Sequence, residues 1–178
     1  MKLNEKKIAV LVVFGILCVL FSSLMAFVYD GVDDVSVIAV NESNGDVAFA
    51  YIDTSGRADV ARVLVFSKDG EKLYSQGYAN EKVSALVFDG EMLYVSLAYD
   101  IDHTYDREGN SKSRAITDEE LQKLQEASYK GWKSSFGKES YTLGEYEYCL
   151  EKPTLFKRVS RVTIIKDEKT TVIYESAK

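Results

Sequence analysis

The chain begins with one long apolar segment and continues with short apolar runs that turn residues separate. Residues 8–28 contain no charged side chain, and about 20 apolar residues are needed to cross a bilayer core as a helix. The segment is apolar on all sides, whereas a buried helix of a globular protein has a polar face. The pattern predicts a transmembrane anchor over 8–28, between a cytoplasmic N-terminus at 1–7 and a separate β domain over 29–178.

A cleaved signal peptide is the alternative interpretation of the same segment. Signal peptides have a shorter apolar region followed by small residues at the cleavage site. Leu24-Met25-Ala26 fits such a site poorly, because Leu24 occupies a position that prefers a small side chain. Lysines precede the segment and Asp30, Asp33 and Asp34 follow it, which favours a body outside the cytoplasm. The expected location is the cell membrane, crossed once, or the secreted fraction if the signal is cleaved.

Beyond the anchor, the apolar runs are rich in β-branched and aromatic residues. Asn44-Gly45 and Asp69-Gly70 lie between such runs. These dipeptides favour β-hairpins, because both turn positions adopt positive φ. The pattern predicts a four-stranded antiparallel meander, whose strands are VSVIAVN (35–41), VAFAYID (47–53), ARVLVFSK (61–68) and EKLYSQGY (71–78).

A partial repeat of this pattern predicts a second meander. VSALVFD and EMLYVSLAYD match the first two strands, and Asp53 corresponds to Asp100 at an offset of 47 residues. The third strand matches only RVTIIKDEK, where Val60 corresponds to Val159 at an offset of 99, and TTVIYES follows as the fourth strand. The difference, 99 minus 47, is 52 additional residues. We therefore predict two four-stranded meanders, the second interrupted by a helical insertion over 101–152.

A four-stranded antiparallel meander that recurs after about 45 residues resembles the blade of a β-propeller. The resemblance covers residues 35–78 and 83–176 outside the insertion. Propellers have about 4–8 blades, so it implies that the two units are part of a longer propeller or that several chains complete one. A face-to-face sandwich is the remaining arrangement. Successive apolar positions in VLVF and LYVSL are typical of strands covered on both faces, which favours a further partner surface.

ITDEELQKLQEASYKG (116–131) carries the start and stop signals of a short helix. Thr117 and Glu120 form a capping box, and Gly131 supplies a C-terminal stop. Leu121 and Leu124 lie on one face, so the helix is predicted to dock by a narrow apolar stripe. A hydrophobic staple and two i,i+4 ion pairs support it: Ile116 with Leu121, Glu119 with Lys123, and Glu126 with Lys130.

DIDHTYDREGN (100–110) is a candidate cation site, because it holds oxygen ligands of the kind that Ca²⁺ binds. The spacing of an EF-hand is not met, since a loop that starts at Asp106 has its glycine at position four instead of six. His103 has no second His or nearby Cys to complete a zinc site. We predict a solvated loop where the insertion leaves the sheet, and whether its acidic residues bind Ca²⁺ stays open: Asp100, Asp102, Asp106 and Glu108.

Signals of catalysis are weak. The only His lies in that loop, and no Gly-x-Ser-x-Gly elbow or phosphate-binding glycine loop is present. Cys149 is predicted to be buried on a strand, with pairing between chains as the alternative, because Cys18 lies in the apolar segment. Asn41-Glu42-Ser43 matches a glycosylation sequon, which is relevant only in a eukaryotic secretory pathway. No catalytic residue, metal site or cofactor is assigned.

The second half of the insertion concentrates aromatic residues, which either form a recognition surface or tie the helix to the sheet. They are Tyr129, Trp132, Phe136, Tyr141, Tyr146 and Tyr148. The net charge of -6 and the lack of a basic stripe argue against nucleic-acid binding. We expect a membrane-anchored extracytoplasmic module that binds or scaffolds a protein partner or a further copy. The alternatives are a hydrolase using unidentified carboxylates and a propeller fragment without independent function.

Overall fold

The computed structural model describes residues 35–98, 102–112, 117–154, 157 and 159–176. The predicted anchor at 8–28 lies outside this part of the chain. Within it, no helix is long and apolar enough to span a bilayer. The elements are β1 (Val35–Val40), β2 (Val47–Asp53), β3 (Val60–Phe66), β4 (Lys72–Ala79), β5 (Val83–Asp89), β6 (Met92–Leu97), β7 (His103–Tyr105), α1 (Asp118–Tyr129), β8 (Lys133–Ser135), β9 (Lys138–Leu143), β10 (Tyr146–Glu151), β11 (Arg161–Lys166) and β12 (Lys169–Glu175).

The first sheet, sheet A, is the predicted meander. Its strands follow the order β1-β2-β3-β4 and all neighbours are antiparallel. Gly45 and Gly70 adopt φ values of 81° and 87° in the first and third turns, so the predicted hairpins are confirmed. Asn44 and Asp69 do not adopt a positive φ, so the prediction of positive φ at both turn positions is wrong. Consecutive residues of β2 and β3 are buried, so sheet A is covered on both faces, as VLVF indicates. Sheets of the same chain cover it, and a further partner surface stays a prediction.

The second predicted meander is wrong beyond its second strand. β5 and β6 pair as expected, but the strand beside β6 is β7, which leaves a three-stranded sheet B. RVTIIK forms β11, which was expected to pair with β6 but pairs with β10 in a separate sheet C. The described residues therefore form three sheets instead of two. The matching sequences identify two similar hairpins, β3–β4 and β11–β12, because alternation and turn residues specify a hairpin locally but do not choose its neighbour in the sheet.

The segment predicted as a helical insertion, 101–152, contains more strand than helix. It contributes β7 to sheet B and β8, β9 and β10 to sheet C, whose order is β12-β11-β10-β9-β8. The helix itself is confirmed as α1. Its capping box is formed, with the Thr117 N–H donating to Glu120 Oε2 at 3.0 Å and the Glu120 N–H donating to Thr117 Oγ1 at 3.3 Å.

Sheet A is the middle layer of three. Strand alternation divides the side chains of sheet A between two cores, one toward sheet C that contains Phe49 and Phe66, and one toward sheet B that contains four alanines of sheet A besides larger residues such as Tyr78. Burial of a side chain as large as Phe49 stabilises the fold by about 1.5–3 kcal/mol. The core toward sheet C includes Val47, Phe49, Phe66, Tyr148, Leu150 and Val162. The core toward sheet B includes Ala48, Ala50, Ala61, Leu86, Val95 and Tyr105.

Candidate functional site

A cleft of about 400 Å³ lies where the turn after β1, the β5–β6 turn and helix α1 meet, and we call it the loop cleft. Its apolar lining comes from Val40, Phe88 and Leu124, one residue from each element. The polar lining includes Glu42, Asp89 and Lys130. The cleft therefore combines an apolar surface with charged groups of both signs, and acidic groups outnumber basic ones.

Asn41 joins the two turns that form one side of the loop cleft. Its side chain is buried, with 2% of the residue exposed. Its Nδ2 donates to the Gly90 carbonyl at 2.7 Å, and its Oδ1 accepts from the Ser43 N–H at 2.9 Å and from Ser43 Oγ at 2.7 Å. The amide nitrogen that a glycan would require is thus buried and hydrogen-bonded. Within the sequon at 41–43, Asn41 therefore connects the two turns by hydrogen bonds.

Aromatic residues of the predicted insertion reach the loop cleft through Glu42. The Tyr141 hydroxyl donates to Glu42 Oε1 at 2.8 Å, and the Trp132 ring stacks on Tyr141 with 5.5 Å between centroids. Burial, reinforced by the bond to Glu42, raises the pKa of the Tyr141 hydroxyl. This contact fixes one rim of the cleft to sheet C.

The six aromatic residues divide into a buried set and an exposed set. Tyr146 and Tyr148 are alternate residues of β10 that face the core, and Tyr141 and Trp132 pack against the same core. Tyr129 and Phe136 stay exposed, at 51% and 87%. Four of the six therefore belong to the core between sheets A and C or pack against it, and two remain on the surface.

The prediction of a solvated loop over the acidic stretch is wrong at its centre. His103 belongs to β7, and its ring packs between Tyr78 and Tyr105, with centroid distances of 5.3 and 6.2 Å. Asp102 accepts from the Leu97 N–H at 3.2 Å, so it caps the end of β6. Asp100 lies outside the described residues. Among those that are described, no group of three or more His, Cys, Asp or Glu side chains could hold a metal ion.

The second half of the acidic stretch docks on sheet A through a half-buried ion pair. The Arg107 guanidinium donates to both oxygens of Asp46, at 2.7 and 3.1 Å. Asp46 has a side chain that is only 3% exposed, whereas Arg107 stays 44% exposed. The bidentate pair satisfies a carboxylate that would otherwise be buried without a partner, and it holds the turn after β7 against the β1–β2 turn.

Acid should weaken the turn after β7, because it contains a carboxylate with a lowered pKa. The hydrogen bond from Lys112, at 2.8 Å, lowers the pKa of Asp106 from 3.8 to about 2. A folded-state pKa below the unfolded value adds stability that is present above about pH 4 and is lost as the pH falls toward 2. We expect Asp106→Asn to flatten the fall in melting temperature between pH 5 and pH 2.

Melting curves at several pH values test this expectation for Asp106→Asn, Lys112→Gln and the double variant. The double variant should have the same acid dependence as Asp106→Asn, because neither contains the titrating carboxylate. Lys112→Gln should flatten the fall less, since the Asn110 N–H still donates to Asp106 Oδ1 at 2.8 Å. If the melting temperature of Asp106→Asn falls between pH 5 and pH 2 as steeply as that of the unaltered chain, other carboxylates dominate acid unfolding.

Cys149 is buried, as predicted, with 1% of the residue exposed. Removal from water raises the pKa of its thiol, and the nearby Lys138 ammonium offsets this only in part. A raised thiol pKa lowers the thiolate fraction at neutral pH, so the position has poor properties for a nucleophile.

Sequence reasoning identified the helix stripe that contains Leu124, but it did not place Asn41, Glu42 or Gly90 near it. The turn signals at 44–45 and 90 were visible, yet their meeting depends on the stacking of sheets. Comparison of the chain with protein families, curated proteins and solved structures finds no match.

Proposed function

We propose that this chain is a binding or scaffolding module that a membrane anchor at 8–28 displays outside the cytoplasm, and that it holds its partner in the loop cleft. The observation that carries the proposal is the convergence of two turns and a helix on one open cleft of about 400 Å³. Ligand sites commonly have volumes of about 300–1,000 Å³ and combine apolar surface with a few polar groups.

The chemistry of the cleft favours a peptide segment in which an apolar side chain lies next to a basic one. Val40, Phe88 and Leu124 can cover the apolar side chain. Glu42 and Asp89 outnumber Lys130, so the electrostatic balance favours a cationic neighbour. Helix α1 contributes to this surface through Leu124, while Glu119, Gln122 and Glu126 of the same helix are exposed.

The scaffolding part of the proposal draws support from the sheets. A meander in the order β1-β2-β3-β4, with neighbouring sheets packed on both of its faces, is compatible with the blade-like interpretation. A rigid stack of this kind would present loops at its ends, where binding residues are disproportionately found. A partner or a second copy that extends the stack belongs to the same proposal.

The binding proposal is tested by a pair of matched substitutions on α1. Fluorescence anisotropy with labelled peptides would compare apolar–basic sequences with apolar–acidic ones. Leu124→Arg puts charge and bulk into the loop cleft, and it is expected to weaken binding of apolar–basic peptides by about tenfold or more, equivalent to about 1.4 kcal/mol. Gln122→Arg adds the same side chain at an exposed position of the same helix and should leave binding within about twofold.

Circular dichroism on both variants checks that the fold is intact. Equal binding by Leu124→Arg and Gln122→Arg would exclude the loop cleft as the recognition site. Deleting 101–152 is not a suitable test, because it removes β10 from the middle of sheet C and Tyr148 from the core.

A further inference from the structure

A second concave surface, of about 440 Å³, lies between the β3–β4 turn of sheet A and the β11–β12 turn of sheet C, and we call it the lysine cleft. These are the two turns whose sequences match. Each supplies a Lys-Asp pair to the lining, Lys68-Asp69 from one turn and Lys166-Asp167 from the other. The similarity that did not mark a repeated blade therefore marks two opposing walls of one cleft.

The lysine cleft has no excess of acidic groups, although the chain has a net charge of -6. Its lining includes Lys68, Lys166 and Lys169 together with Asp69 and Asp167, and the Glu145 carboxylate that pairs with Lys166 makes three lysines against three carboxylates. Within the part of the chain that the structure describes, no carboxylate forms an ion pair with Lys68 or Lys169. Two ammonium groups at the cleft are thus available to a bound anion.

The third lysine is held in place and helps to shape the cleft. Lys166 Nζ lies 2.5 Å from Glu145 Oε1 and donates to the Tyr146 hydroxyl at 3.0 Å. Tyr146 is also the ring over which Lys68 and Lys166 place their ammonium groups, 5.6 and 4.7 Å from its centroid. These cation–π contacts keep both lysines near one aromatic surface.

The two walls are held together by close packing. Gly70 adopts φ 87°, and a Cβ added there would lie 2.8 Å from Thr171 Cγ2 and 3.4 Å from Ile173 Cγ2. The β3–β4 turn therefore rests directly on β12. A cleft whose walls are already in position loses less conformational entropy when a ligand binds.

We propose that the lysine cleft binds the phosphate group of a small organic phosphate. Lysine ammonium groups bind phosphate as compact point charges. A volume of about 440 Å³ exceeds what phosphate alone requires, and Tyr146 and Ile164 offer apolar surface to the organic part. This site is separate from the loop cleft, so either proposal can fail without the other.

Isothermal titration of the full chain in a neutral detergent tests the site at constant ionic strength. The probes are glycerol phosphate, inorganic phosphate and uncharged glycerol. Lys68→Gln with Lys169→Gln is expected to weaken glycerol phosphate binding at least tenfold, because it removes both unpaired ammonium groups. The control, Lys82→Gln with Lys133→Gln, makes the same change in net charge at exposed positions outside the cleft and should stay within twofold of the unaltered chain.

The source of the phosphate is distinguished with a deacylated phospholipid headgroup, glycerophosphoglycerol. Tighter binding of this diester assigns the site to a lipid headgroup, and tighter binding of glycerol phosphate assigns it to a soluble monoester. Either result supports a phosphate site if Lys68→Gln with Lys169→Gln weakens the binding of that compound. Equal losses in the two double variants would reduce the effect to overall charge and overturn the proposal. Binding of glycerol as strong as that of glycerol phosphate would also overturn it.

Discussion

Tyr148→Ala is expected to lower the free energy of unfolding by about 3–5 kcal/mol, the range for removing a large aromatic side chain from a core. Tyr148 is fully buried on β10 between sheets A and C. Its hydroxyl donates to the Gly45 carbonyl at 2.7 Å, so it also ties the middle of sheet C to the first turn of sheet A. The substitution leaves a cavity at this junction, and the surrounding strands cannot close it without moving the sheets.

Tyr148→Phe separates the ring from the hydroxyl. It keeps the packed volume and removes only the hydrogen bond to Gly45, so we expect a loss of about 1 kcal/mol. Urea denaturation followed by circular dichroism measures both variants. A loss in Tyr148→Ala no larger than that in Tyr148→Phe would mean that sheets A and C do not share this core.

Gly109→Ala is expected to cost about 3 kcal/mol, because left-handed backbone strain of about 1–2 kcal/mol adds to an overpacking cost of about 1–3 kcal/mol. Gly109 has φ 83° in the turn after β7. A Cβ there would lie 2.7 Å from Tyr74 Cγ and 3.0 Å from Tyr74 Cβ, next to the β4 backbone, so the ring cannot easily move away. The turn also bonds to β4 through Gln76, whose Nε2 donates to the Gly109 carbonyl at 3.2 Å.

Gly144→Ala is the matched control for Gly109→Ala. Gly144 also has a positive φ, of 59°, but a Cβ added there meets no atom within 4 Å. Only the backbone strain should remain, so we expect about 1–2 kcal/mol. The two variants are compared by thermal and urea unfolding. Equal costs would show that the turn after β7 does not lie against β4.

Much of the local structure followed from neighbouring residues. The four strands of sheet A were predicted because alternation and Gly-containing turns act over a few positions. Helix α1 was predicted because the Thr117–Glu120 capping box connects residues only three positions apart. Each of these signals depends on contacts within one or two turns of the chain, so the three-dimensional arrangement does not alter them.

Strand β7 is not predicted by such local signals. It has only three residues, too few for a period-2 pattern, and it lies in a stretch rich in acidic side chains. It pairs with β6 and packs against sheet A through the buried Tyr105, whose hydroxyl lies 2.9 Å from that of Tyr78 on β4. The longer and more regular β11 fitted the expected pattern better, yet it pairs with β10, because many strands of similar alternation can satisfy one hydrogen-bonding edge.

Residue order alone therefore established a β-rich body, its hairpins, its helix and a buried Cys149, since period-2 alternation, turn residues and caps are local properties. Only the stacking of the three sheets brought together the groups that form the clefts. Asn41 and Gly90 are 49 positions apart, and Glu42 and Tyr141 are 99 apart, yet each pair is joined by one hydrogen bond. Contacts of this range depend on which faces bury each other, and packing of whole layers decides that.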